Sequence, residues 1–126
     1  MADQSASKTL GELEAAFTKR IIQFEKEYLG RGPVEARTYI IQDMIVVRLK
    51  GVLTPAEEKL VQTKEGRTLV KEARRQLFDT SRPRLSQSTR DILEAELIDI
   101  YSDISTESGE RIIVLTLDRN IPNQVR

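Results

Sequence analysis

Arg37-Thr38-Tyr39-Ile40-Ile41-Gln42-Asp43-Met44-Ile45-Val46-Val47-Arg48-Leu49 decides the fold class of this chain. Two runs rich in β-branched residues flank a polar pair, which is the pattern of a β-hairpin. Paired about Gln42-Asp43, the residues Ala36, Thr38, Ile40, Ile45, Val47 and Leu49 share one face, which reads as core. Arg37, Tyr39, Ile41, Met44, Val46, Arg48 and Lys50 share the other. That second face is half apolar and half basic, unusual for a sheet bathed in water. Either the chain's own helices cover both faces, or another polypeptide covers the outer one. Gln-Asp is a poor two-residue turn, so a bulge or longer loop that shifts the register by one, and exchanges the faces, stays open.

Upstream, Leu10, Leu13, Phe17, Ile21, Phe24 and Tyr28 recur every three or four residues as one apolar helical seam. Thr9 and Glu12 fit a capping box despite Gly11, and Gly30, Gly32 and Pro33 stop the helix. The seam covers the sheet or packs in part against a second copy, since its spacing also suits helix pairing. Downstream, Thr54-Pro55-Ala56-Glu57 is a helix start with a hydroxyl cap, proline at the first position and glutamate at the third. A short helix runs to about Gln62, and Gly66 marks its junction with a long helix from around Lys64 to Ala95. Leu69, Ala73, Leu77, Ser81, Leu85 and Ile92 line one side of it, and Pro83 kinks or interrupts it. Leu97 to Ser105 and Arg111 to Arg119 form a second hairpin about the turn Thr106-Glu107-Ser108-Gly109-Glu110.

The chain therefore reads as a single α+β domain over residues 8–119. Two β-hairpins make a four-stranded, mainly antiparallel sheet, with an N-terminal helix and a long central helix, in the order αββααββ. Residues 1–7 read as a disordered N-terminus and 120–126 as a C-terminal tail. A length of 126 residues suits one ordinary core. That core must be aliphatic, because only 5% of the residues are aromatic.

Composition narrows function by exclusion. The sequence has no histidine and no cysteine, which removes the commonest catalytic base, the commonest thiol nucleophile and most transition-metal ligands. No nucleophile elbow, Walker loop, dinucleotide fingerprint or paired-carboxylate motif is present. This inventory favours binding over catalysis, and it assigns no catalytic residue and no cofactor. Twenty basic residues balance twenty acidic ones, which argues against wholesale coating of nucleic acid. Neither a signal peptide nor a membrane span is legible, so a cytoplasmic location is expected.

Three clusters remain as candidate sites. Arg37, Tyr39, Ile41, Met44, Val46 and Arg48 on the outer hairpin face have the arginine, aromatic and aliphatic make-up of an interaction surface. Arg67, Lys71, Arg74 and Arg75 form a basic patch on the long helix, joined by Lys64, Arg82 and Arg84. That patch meets phosphates or an acidic partner, or it is a solvated face balanced by Glu65, Glu72 and Asp79. Asp99, Asp103, Ser105, Thr106, Glu107 and Glu110 crowd oxygen atoms around the second hairpin. They match no strong metal motif, and turn chemistry explains them better, which leaves Asp103, Glu107 and Glu110 as weak metal candidates.

Gly30-Arg31-Gly32-Pro33, Tyr39-Ile40-Ile41 and the run from Asp43 through Gly51-Val52-Leu53-Thr54-Pro55-Ala56-Glu57 resemble the MpsC-like domain family of bacteria. The likeness continues through Gly66-Arg67, Arg74-Arg75, Arg82-Pro83, Ser102 to Thr106 and Gly109 to Val114, spanning roughly residues 8–119. The family is named for a sodium-translocating, membrane-potential-generating system. The resemblance implies a small bacterial protein associated with membrane machinery for cation or inorganic-carbon uptake, and it implies no catalytic residue set.

Residues and resemblance together lead to an expectation of a non-enzymatic interaction or regulatory module. It is expected to be a homodimer, cytoplasmic or peripheral to the inner membrane, that docks on or regulates such a transport system. The alternative is a sensor of a small ligand or ion, using the acidic turn or a pocket between sheet and helices. A third reading, a nucleic-acid binder through the basic face, is the one the charge balance counts against.

Overall fold

A computed structural model describes residues 8–122. The expectation of a disordered segment at 1–7 lies outside the described residues.

Thr9 starts the first helix, α1 (Leu10–Leu29), with a complete capping box: its hydroxyl accepts from the Glu12 N–H while Glu12 Oε1 accepts from the Thr9 N–H. Gly30, left-handed at φ +85°, ends it. Leu13, Phe17, Ile21 and Phe24 are buried against strand β1 (Glu35–Ile41) and helix α4 (Arg82–Leu93). Of the two readings of the seam, the structure supports the one in which α1 covers its own sheet.

Strand β1 pairs with β2 (Met44–Lys50) in the register that sets Ile41 opposite Met44 and Tyr39 opposite Val46. No slip occurs. The poor turn residues are tolerated because the C-terminal segment holds them: Leu117 N–H donates to Asp43 O at 2.8 Å and Ile121 N–H to Gln42 O at 2.9 Å. Gln42 sits at φ +57°, the left-handed region that a two-residue turn demands here. Ile121 is buried, so the expected tail begins as part of the core; residues 123–126 lie outside the described residues.

A second capping box, between Thr54 and Glu57, starts α2 (Pro55–Leu60). The expected long helix is two helices, α3 (Lys64–Thr80) and α4, joined at Ser81. Pro83 falls within the first turn of α4, where its missing N–H costs nothing, so it starts a new helix rather than bending an old one. The element order is therefore αββαααββ.

The buried stripe of α3 also differs from the expected one. Leu69 and Leu77 are exposed, and Gly66, Val70, Arg74 and Phe78 face inward. Hydropathy alone cannot find a stripe that contains a glycine and an arginine. Gly66 is there because a Cβ would stand 1.6 Å from the Leu60 carbonyl oxygen, so α2 and α3 touch backbone to backbone.

Strands β3 (Leu97–Ser105) and β4 (Glu110–Leu117) complete a fully antiparallel sheet in the order β1-β2-β4-β3, with a bulge at Ile98. Ile45, Val47, Leu49, Ile113, Leu115 and Leu117 point to the helices and form the core. This α+β architecture packs its helices on one face of the sheet.

Candidate functional site

Because the described helices gather on one side, the opposite face of the sheet has no cover among the described residues. Strand registers place its side chains in three rows, each crossing all four strands. One row is Arg37, Arg48, Ile112 and Asp103; the middle one is Tyr39, Val46, Val114 and Tyr101; the third is Ile41, Met44, Thr116 and Asp99. Tyr39, Ile41 and Tyr101 remain 43%, 50% and 59% exposed. All six residues of the sequence-derived interaction surface therefore lie side by side on one open face. β3 and β4 add Tyr101, Ile112 and Val114, which sequence reasoning did not connect to it. The period of two in each strand carried that signal, but the pairing of β2 with β4 was not legible. Arg48 is held down by an ion pair with Glu110 along the rim.

The helix side of the sheet carries charge inside the core. Arg74 is almost wholly buried and donates three hydrogen bonds: Nε to Glu57 Oε2 at 2.8 Å, and Nη2 to Glu57 Oε1 and to the Val52 carbonyl, each at 2.7 Å. Its Nη1 has no partner among the described residues. Arg111 is buried too, its guanidinium 4.6 Å from the Phe78 ring centroid, its Nε donating to Ser102 Oγ at 3.1 Å. Glu25 completes the cluster, with Oε2 3.8 Å from Arg111 Nη1 and no hydrogen bond of its own.

Desolvation raises the Glu25 carboxyl above the usual carboxylate range, against the opposing pull of Arg111 and Arg74. Burial likewise lowers the Arg111 guanidinium, with Glu25 working the other way. For Glu57 burial alone would push upward, but the Arg74 hydrogen bonds and the Thr54 backbone N–H outweigh it and hold the carboxyl low. Glu25 and Arg111 were not singled out as site residues from sequence, and Glu57 only as a helix cap, yet the first two carried a signal. Arg111 is in phase with Ile113, Leu115 and Leu117, and Glu25 lies four residues beyond Ile21 on the buried side of α1.

Between α3 and β3 this cluster borders a pocket of about 660 Å³, lined by Phe78, Ile100, Ile104, Arg74 and Arg111 among others. Lys71 on α3 reaches toward Asp103 on β3, with Nζ 3.6 Å from Oδ1.

The expected basic patch does not form a continuous surface. Arg74 has turned inward, a correction whose physical cause is its pairing with Glu57 and Val52. Arg75 is held by Glu72 and Asp79, and Arg67 Nη1 donates to the Val61 carbonyl. The weak metal candidates do not converge either: Glu110 pairs with Arg48, Asp103 with Lys71, and Glu107 stands in the exposed turn. No group of three acidic side chains among the described residues is placed to hold a metal ion.

With fold and surfaces in place, the family follows from direct comparison. A model of the MpsC family, described as the Na+-translocating membrane potential-generating system, matches residues 9–119. The chain belongs to that family. It is 39% identical over 110 residues to uncharacterized protein YbcI of Bacillus subtilis (strain 168), covering 87% of this chain and 89% of the relative. Uncharacterized protein YrhF of the same organism is 31% identical over 109 residues, covering 86% of this chain and 89% of the relative. No solved structure matches. The family's name speaks of ion translocation, and among the described residues no helix is long and apolar enough to cross a membrane.

Proposed function

We propose that this chain is a non-enzymatic interaction module that works as a homodimer, packed through the open faces of two sheets. The observation that carries the reading is the uncovered middle row, Tyr39-Val46-Val114-Tyr101. At about 4.8 Å per strand and roughly 3.3 Å per residue, the face has a flat footprint of about 400 Å² before side-chain relief is counted. That is within the range of about 300–600 Å² of the largest patch on a typical monomer, which is often functional.

A second copy is favoured as the occupant because the middle row and the ends of the first row are self-complementary. Consider a two-fold axis parallel to the strands, between β2 and β4. It lays β1 over the second copy's β3 and keeps every row in register. Tyr39 then meets Tyr101 of the second copy, Val46 meets its Val114, and Arg37 meets its Asp103. The middle row is then apolar throughout and the first row ends in opposite charges, while the third sets Ile41 beside Asp99 of the second copy.

The family name supports a further step: the dimer docks on, or regulates, a membrane cation or inorganic-carbon transport system from the cytoplasmic side. Light scattering after size exclusion tests the first claim. Wild type at tens of micromolar is expected to run as a dimer and Val46→Glu as a folded monomer; a monomeric wild type at that concentration overturns it. For docking, the wild-type dimer but not the monomeric Val46→Glu is expected to recover subunits of a transport complex from membrane fractions, and equal recovery by both removes the dimer as the docking form.

A further inference from the structure

The pocket between α3 and β3 has a chemistry that the open sheet face does not use. Arg111, with Arg74 one of its two buried cations, is 5% exposed, and only the Arg111 Nε makes a hydrogen bond among the described residues. Arg111 Nη1 faces Glu25 Oε2 at 3.8 Å, neither terminal nitrogen makes a hydrogen bond among the described residues, and the neighbouring Arg74 Nη1 is buried with no partner. An unpaired guanidinium donor in a dry place, as at Arg74 Nη1, is costly, and structures that keep one supply an acceptor from elsewhere. Phe78, Ile100 and Ile104 form the apolar part of the wall, and the exposed cations Lys71, Arg75 and Arg82 line it together with Glu72, Asp79 and Asp103. The volume, about 660 Å³, is that of a small-molecule site.

We propose that this pocket binds a small organic anion, with a carboxylate or phosphate head on the Arg111 fork and an apolar body against Phe78, Ile100 and Ile104. Glu57 neutralises Arg74 through a two-pronged pair, so Arg111 supplies the uncommitted charge. Glu25 is a weak competitor for it: the separation is 3.8 Å, and burial favours the protonated acid. Lys71 spans the pocket from α3 toward Asp103 on the edge strand, so this pair sets how much positive charge faces the mouth. Asp103→Asn releases Lys71 toward the ligand, and Lys71→Met removes it. The two exposed substitutions therefore move affinity in opposite directions with the fold intact.

The experiment is a titration of the full chain, followed by amide NMR shifts and by melting temperature. Inorganic phosphate, phenyl phosphate, benzoate and neutral benzamide serve as probes at constant ionic strength in chloride. Phenyl phosphate and benzoate are expected to bind and to raise the melting temperature, inorganic phosphate more weakly, and benzamide not at all. Asp103→Asn is expected to tighten phenyl phosphate about two- to fivefold and Lys71→Met to weaken it by a similar factor, the scale of one exposed charge. Arg111→Lys, which keeps the charge and loses the fork, is expected to cost about tenfold. Should Arg111→Lys fail to fold, the Lys71 and Asp103 pair decides alone. The proposal is overturned if no anion binds above the chloride control or if benzamide binds as well as benzoate. It is equally overturned if the Lys71 and Asp103 variants bind like wild type. Asp103 also lies on the open sheet face, so each substitution is titrated in the Val46→Glu background as well, where a dimer contact cannot contribute.

Discussion

Replacing Arg74 by methionine distinguishes a buried strut from a surface cation. On an exposed basic face the change costs no more than about 0.5 kcal/mol. The structure leads to a different figure. Arg74 ties α3 to Glu57 of α2 and to the Val52 carbonyl after β2 through three hydrogen bonds, two of them to one carboxylate. Methionine fills much of the volume but makes none of these bonds, leaving the Val52 carbonyl unpaired and Glu57 without its counter-ion. Breaking one partner of such a pair costs about 3–5 kcal/mol. At about 2.1 cal/mol/K per residue over roughly 115 ordered residues, the unfolding entropy is about 0.24 kcal/mol/K, so a loss of about 4 kcal/mol lowers Tm by roughly 17 °C. Urea unfolding followed by far-ultraviolet circular dichroism measures this, since the chain has no tryptophan. Adding Glu57→Gln to Arg74→Met is expected to restore about 1 kcal/mol by removing the stranded charge. A single-variant loss below about 1 kcal/mol refutes the strut.

Gly66→Ala drives a methyl group into the Leu60 carbonyl and is expected to cost at least about 3 kcal/mol, read from the same urea curves; a loss under about 1 kcal/mol would mean that α2 and α3 separate freely. Glu25 has a folded pKa above its ordinary value of 4.5, so the folded state holds that proton more tightly than the unfolded chain. Its contribution is fully present below pH 4.5 and is lost as pH rises through the raised value. Glu25→Gln should remove that decline, so the stability difference between variant and wild type grows with pH above 4.5; a difference independent of pH contradicts the assignment. Thr54→Ala removes one half of the α2 capping box and should cost about 1 kcal/mol, read from the same urea curves.

Local chemistry determined much of this protein. Both capping boxes, the glycine stop after α1, the two hairpins and the inward face of the first hairpin follow from residues close together in sequence. Periodicities of two and of three to four, with hydroxyl caps, act over a few residues and need no knowledge of the rest of the chain. The six outer residues from Arg37 to Arg48 were likewise legible, because alternation along a strand assigns faces once the turn is centred.

Only the tertiary structure decided what lies around those elements. The inward stripe of α3 runs through Gly66 and Arg74 because Leu60 and Glu57 of another helix are there to meet them. Pro83 opens a new helix because α3 has ended at Thr80. Gln42-Asp43 holds the unslipped register because Leu117 and Ile121, more than seventy residues later, donate to its carbonyls. The extension of the open face to Tyr101 and Val114 depends on β4 pairing with β2. Glu25, Arg74 and Arg111 come from three distant segments, and a charge can be buried only where those segments meet. Long-range packing sets the dielectric and the partners of each ionisable group, and no window of neighbouring residues contains either.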